Sequence, residues 1–143
     1  MIMSQRFFPD AMPSPMADTI TLPWWEHAAK HQLVVQRCTD CGETRLPPSP
    51  VCAKCRSENA EWQEVSGRGE VYTYTTVHRP IAPDQPLPTL IAVIALEGSG
   101  GKRILSNLVE VDPEKVEIGM PVEVVWEDMS ADLAIPRFRP VGK

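Results

Sequence analysis

Three observations on the 143-residue sequence predict a mainly β fold, with a helix and a cysteine-bearing ribbon ahead of a five-stranded barrel. Proline makes up 15 of the 143 residues, against a usual share of about 5%. That much proline breaks long helices, because the residue has no amide donor and its ring clashes one turn back. Two CxxC pairs stand close together in the first half. Beyond residue 66, strand-length runs alternate with glycine and proline punctuation, as a small barrel requires.

The elements follow in order. Residues 1–18 hold four of the six methionines and three prolines, which reads as a flexible arm. A short helix is expected over Thr21–His31, with Pro23 in its first turn and Trp25, Ala28 and Ala29 at helical spacing. Leu33-Val34-Val35 reads as a brief strand running into Cys38, and residues 38–55 as loop, with Pro47, Pro48 and Pro50 between the cysteine pairs. Residues 19–65 therefore form one unit and 66–143 a second.

The second unit begins with Val71–Val77, rich in β-branched and aromatic residues. A proline-laden loop leads to Leu90–Leu96, an apolar run suited to a strand covered on both faces. Gly98–Gly101 is a hairpin turn, and Ile104–Val109 returns as a third strand. Asp112-Pro113 opens one helical turn to about Val116, closed by Gly119. Val122, Val124 and Trp126 alternate with Glu123, Val125 and Glu127 as a half-buried fourth strand, and Pro136–Val141 is a fifth. Five strands with a helical turn between the third and fourth is the order of an OB-type barrel.

Cys38-Thr39-Asp40-Cys41 and Cys52-Ala53-Lys54-Cys55 are separated by ten residues. Each pair can turn two thiolates toward one point, and two such knuckles make the closed tetrahedral set that structural zinc prefers. Gly42 frees the backbone to turn, bringing its amide toward the sulfurs. Iron would accept the same ligands. A redox CxxC needs one pair in a βαβ setting, which is absent. The longest apolar run, Leu90–Leu96, falls far short of the roughly 20 residues of a membrane span, and the N-terminus carries one base, Arg6, and no apolar stretch long enough for a secretory leader. The expected compartment is the cytoplasm, where disulfides are rare.

Other chemistry is thin. His27 and His31 lie four apart on the helix but without an HExxH pattern, and His78 has no acid or nucleophile tied to it. No catalytic constellation emerges, so the chain is not expected to be an enzyme by itself. Ser66-Gly67-Arg68-Gly69 reads as a flexible hinge between the units. The net charge is −5, and a zinc tetrathiolate makes it more negative still. Acids are concentrated over residues 97–132, and residues 89–109 contain no aromatic side chain, although OB-folds stack single strands on aromatics there. Both facts argue against the alternative of a single-stranded nucleic-acid-binding module.

Pro23-Trp24-Trp25, the CxxCG knuckle, Pro47-Pro48-Ser49-Pro50-Val51-Cys52, Ser66-Gly67-Arg68-Gly69-Glu70-Val71, Ile118-Gly119-Met120-Pro121-Val122 and Pro136-Arg137-Phe138-Arg139-Pro140 occur in one order. Together, over Ile20–Val141, they resemble the bacterial and archaeal family called "domain of unknown function 35". The resemblance implies a rubredoxin-like zinc ribbon joined to an OB-fold, with Cys38, Cys41, Cys52 and Cys55 as ligands of one structural zinc. It also implies a non-catalytic accessory subunit of a thiolase-fold enzyme (thiolase, acyltransferase or steroid side-chain retro-aldolase) that helps build an acyl-CoA channel. Arg45, Arg68 and Arg79 are then candidates for CoA phosphates, and Trp24, Trp25 and residues 47–50 for the partner surface. Arg56 stands where relatives commonly carry glycine after the second knuckle.

Overall fold

The computed structural model describes residues 5–142; residues 1–4 of the arm and Lys143 at the end of the second unit lie outside the described residues. Helix α1 (Leu22–Ala29) is followed by β1 (Val34–Cys38), β2 (Thr44–Arg45) and β3 (Ala60–Glu64), which form an antiparallel sheet in the order β2-β1-β3. Then come β4 (Arg68–Val77), β5 (Thr89–Leu96), β6 (Arg103–Leu108), a 3-10 turn (Pro113–Lys115), β7 (Pro121–Ser130) and β8 (Leu133–Pro140). These five strands close into a barrel in the order β4-β5-β6-β8-β7. All its pairings are antiparallel except β6 with β8, where Leu108 faces Phe138 and the Val109 amide donates to the Phe138 carbonyl at 2.8 Å.

Sequence dictates each closure. Asp112 caps the 3-10 turn by accepting from the Glu114 amide at 3.0 Å, with Pro113 in the first turn. β5 alternates buried and half-buried positions with none exposed, as its continuous apolar run predicts. Phe138 and Ile94, both wholly buried, centre the barrel core with Val71, Val122 and Leu108. The same cluster continues without a break into Trp24, Ala28, Val34 and Val35 of the ribbon unit. Helix α1 packs against β8, so the ribbon rests on the barrel.

Three expectations change. The glycines of Ser66–Gly69 serve contact rather than flexibility. A Cβ on Gly69 would sit 2.3 Å from the Ala95 carbonyl oxygen, and one on Gly67, at φ +86°, would sit 2.5 Å from Val124. Only a bare backbone lets β4 pass between β5 and β7 so closely. On β7, Val122 is buried as expected, but Val125 and Glu127 are buried too. The side of that strand expected to be polar is thus covered. Finally, β2 extends the ribbon within the segment expected to be loop, and β3 does so just beyond it, where no element was expected.

Candidate metal centre and adjoining cleft

The four cysteine sulfurs converge within 4.8 Å of one another, with Cys38 Sγ 3.5 Å from Cys55 Sγ and Cys41 Sγ 3.6 Å from Cys52 Sγ. Zn–S bonds of about 2.3 Å arranged tetrahedrally put sulfurs about 3.8 Å apart. The observed separations match that edge and far exceed a disulfide bond of about 2.05 Å. Cys38 and Cys52, the first of each pair, are buried, whereas Cys41 and Cys55 are exposed.

The knuckles are near copies. The Gly42 amide donates to the Cys38 carbonyl at 2.9 Å, and the Arg56 amide donates to the Cys52 carbonyl at 2.9 Å. Gly42 has φ +82° and Arg56 φ +65°, so the arginine adopts the same left-handed turn as the glycine at the equivalent place in the first knuckle. The amide of the next residue serves the sulfur: Glu43 donates to Cys41, and Ser57 to Cys55. This corrects the expectation that Gly42 itself bonds a sulfur. The amide of Cys41 above all, against burial and with help from that of Asp40, brings the Cys38 thiol down to about 6. The amides of Cys55 and Lys54 likewise lower Cys52. For Cys55 the Ser57 amide is outweighed by the Cys38 sulfur, by burial and by the other sulfurs, which push it up to about 12. Thiols this close resist joint ionisation, and a divalent cation at their centre relieves that resistance. The donor set fits zinc with every position filled by sulfur, leaving none for water or substrate.

Beside the ribbon lies a largely apolar cleft of about 660 Å³. Trp24 and Trp25 of α1 and Leu46, Pro47 and Pro48 form the ribbon wall; Ile91 of β5, Ile104 and Leu105 of β6, and Ile135 and Pro136 of β8 form the barrel wall. Met12 of the arm and Ile81 of the β4–β5 loop add further apolar surface. The charged lining residues are Arg79, Arg103 and Arg137, with no acid among them, in a chain of net charge −5.

The candidates from sequence separate here. Arg79 is exposed and lines the cleft. Arg45 points elsewhere: its Nε donates to Gln36 Oε1 and the Ser49 carbonyl, each at 3.1 Å, and it lines a smaller depression of about 380 Å³ with Lys54 and Lys102. Arg68 is exposed and lines neither. Trp24 is a core residue, 7% exposed, its indole N–H donating to the Val34 carbonyl at 2.9 Å. Trp25 packs edge-on against it, with ring centroids 4.8 Å apart, and is half-buried in the cleft wall.

His27 Nδ1 pairs with Gln32 Oε1 at 2.9 Å, while His31 Nε2 pairs with Asp128 Oδ1 at 2.6 Å. The two histidines thus share no site. Tyr74 donates its hydroxyl to the Val116 carbonyl at 3.1 Å, whereas Tyr72 is exposed beneath the Arg103 guanidinium at 3.7 Å. No helix is long and apolar enough to cross a membrane among the described residues.

Fold and site together define a class: a four-cysteine zinc ribbon packed against an OB-fold barrel. Residues 25–61 match the family description "ChsH2, rubredoxin-like zinc ribbon domain", and residues 62–127 match "ChsH2, C-terminal OB-fold domain". A "DUF35 domain-containing scaffold protein" of Methanocaldococcus jannaschii is 37% identical over 82% of this chain and 84% of its own length. The chain belongs to this DUF35 family of ChsH2-type zinc-ribbon and OB-fold proteins. It is also 38% identical, over 90% of its length, to a "Probable enoyl-CoA hydratase alpha subunit" of Thermomonospora curvata, of whose length it spans 40%. Among solved structures it is similar to a chain of the "Ltp2-ChsH2(DUF35) aldolase", with a TM-score of 0.82 and 38% identity over 89% of this chain and 98% of that one.

Proposed function

We propose that this chain is a non-catalytic accessory subunit of a thiolase-fold enzyme acting on an acyl-CoA, and that it helps to assemble the enzyme and to line its acyl channel. The observation that carries this reading is the likeness to nearly the whole of a chain of the Ltp2-ChsH2 aldolase. The chain's own chemistry is consistent with it. A zinc held by Cys38, Cys41, Cys52 and Cys55 fixes the ribbon and has no open coordination position for catalysis. His78, the histidine nearest the cleft in sequence, is exposed and has no carboxylate partner among the described residues.

The cleft suits an apolar acyl group carrying an anionic end. Its arginines differ in readiness. Arg137 is already paired with Glu127 at 2.7 Å, and Arg103 lies over Tyr72. Arg79 makes no ion pair among the described residues and offers its charge to a CoA phosphate. Arg45, with Lys54 and Lys102, and the exposed Arg68 are candidates for phosphates outside the cleft.

Co-expression of the tagged chain with a thiolase-like protein encoded beside it tests the reading. The expected result is a complex that survives size-exclusion chromatography and an acyl-CoA activity seen only with both chains. Recovery of the tagged chain alone, with the thiolase-like protein fully active without it, overturns it.

A further inference from the structure

Among the described residues, Glu127 is the one wholly buried carboxylate in the barrel. A buried carboxylate is costly unless both oxygens are satisfied. One oxygen is satisfied by the barrel: Oε1 accepts from Arg137 Nη2 at 2.7 Å and Nε at 3.0 Å, while Arg137 Nη1 donates to Asn107 Oδ1 at 2.7 Å. The other is satisfied by the arm. Oε2 accepts from the Phe7 amide at 2.6 Å and the Phe8 amide at 3.0 Å, with Arg6 Nε at 3.5 Å. Gln5 forms a backbone bridge beside Glu127 and donates its side-chain amide to Glu110 at 2.8 Å, and the Phe8 ring lies 4.7 Å from the Arg137 guanidinium.

From this clip the chain runs to the cleft in a few residues. The Met12 amide donates to the Pro9 carbonyl at 3.1 Å, closing a turn, and Met12 then stands in the cleft wall. Arg137 belongs to both places, holding Glu127 and lining the cleft. We infer that residues 5–12 are a strap, clipped to the barrel by Glu127, that supplies a wall of the cleft and so makes Glu127 a positioning residue for whatever the cleft binds. The inference concerns the free chain and does not depend on the partner proposed above. Two backbone amides reading one carboxylate give a directional contact, and Pro9 reduces the conformational freedom the strap must lose on docking.

The test is NMR on the full chain with labelled methionine methyls. In the wild type, the Met12 methyl should show nuclear Overhauser contacts to cleft side chains such as Trp25, and the Phe8 amide should exchange slowly. Phe7→Pro deletes the shorter amide bond while leaving the Glu127–Arg137 pair intact, whereas Phe7→Leu keeps the amide. Phe7→Pro and Glu127→Gln should lose the Met12 contacts and speed Phe8 exchange at least about tenfold, and Phe7→Leu should retain both. Absence of the Met12 contacts in the wild type overturns the inference, as does their survival in Phe7→Pro. Phe7→Pro decides the matter if Glu127→Gln fails to fold.

Discussion

Thr44, on the shortest strand of the ribbon, donates its hydroxyl to the carbonyl oxygen of Ser99 in the β5–β6 hairpin of the barrel at 2.6 Å. Both residues are buried, and Ser99 Oγ in turn joins the Leu96 carbonyl at 2.8 Å and the Lys102 amide at 2.9 Å. Gly100 completes the joint: at φ +73°, a Cβ there would meet Thr44 Oγ1 at 2.6 Å. The ribbon is therefore fastened at this hairpin as well as through the continuous core.

Thr44→Val leaves the Ser99 carbonyl buried without its donor and should cost about 1–3 kcal/mol. Gly100→Ala should cost at least as much, because strain and clash add. In a Thr44→Ala background part of the Gly100→Ala cost should disappear, since the clashing oxygen is gone. Urea unfolding of the four chains measures the cycle; strict additivity would show that the two positions do not touch.

Metal removal should act on the ribbon first. We expect one zinc per chain, released by a strong chelator with loss of ribbon amide protection, while the Phe138-centred barrel keeps its own. Cys38→Ser or Cys52→Ser, each removing a buried ligand, should abolish stoichiometric zinc. Elemental analysis with hydrogen exchange checks both, and the visible absorption of a ferric tetrathiolate would instead assign iron.

Arg56 holds a left-handed backbone at φ +65°. That conformation costs a residue bearing a Cβ roughly 1–2 kcal/mol, partly offset in a glycine variant by greater freedom of the unfolded chain. Arg56→Gly should consequently stabilise the zinc-loaded chain by about 0.5–1 kcal/mol. Thermal unfolding at fixed zinc concentration measures it, and an unchanged or lower midpoint would mean that the arginine side chain supports the knuckle.

Much of this architecture is legible one residue at a time. The CxxC spacing locates the metal site, Asp112-Pro113 locates the turn, and the apolar run of β5 shows that both its faces are covered, because each signal is local. What escaped depends on partners distant in sequence. Glu127 looks like a solvated acid on an alternating strand until a segment about 120 positions away is laid over it. Trp24 looks equally suited to surface or core until α1 is docked on the barrel. β3 is polar and exposed along most of its length, and it is a strand because β1 offers it a complete antiparallel register from Val34–Glu64 to Cys38–Ala60. The three arginines proposed for phosphate share a charge but no surface, and nothing in their spacing reveals that.

Glu127 also sets a pH dependence whose sign can be worked out. Burial opposes its ionisation, but the Phe7 amide, the Arg137 guanidinium and the Phe8 amide outweigh burial and hold it below its ordinary value of 4.5. A folded-state value below the unfolded one means that ionised Glu127 stabilises the chain at full strength above about pH 4.5. That contribution is lost as pH falls through the lower, folded value. Glu127→Gln has no such titration, and its amide presents a donor to Arg137 or to the arm. At neutral pH it should therefore cost about 3–5 kcal/mol, as breaking a buried pair does. The gap between wild type and variant should stay constant down to about pH 5 and narrow only at more acidic pH. Denaturant unfolding of both chains from pH 7 to pH 3 reads that gap directly. A gap that widens as pH falls from 7 to 5 would mean the carboxylate is raised rather than lowered, and that the arm amides do not hold it.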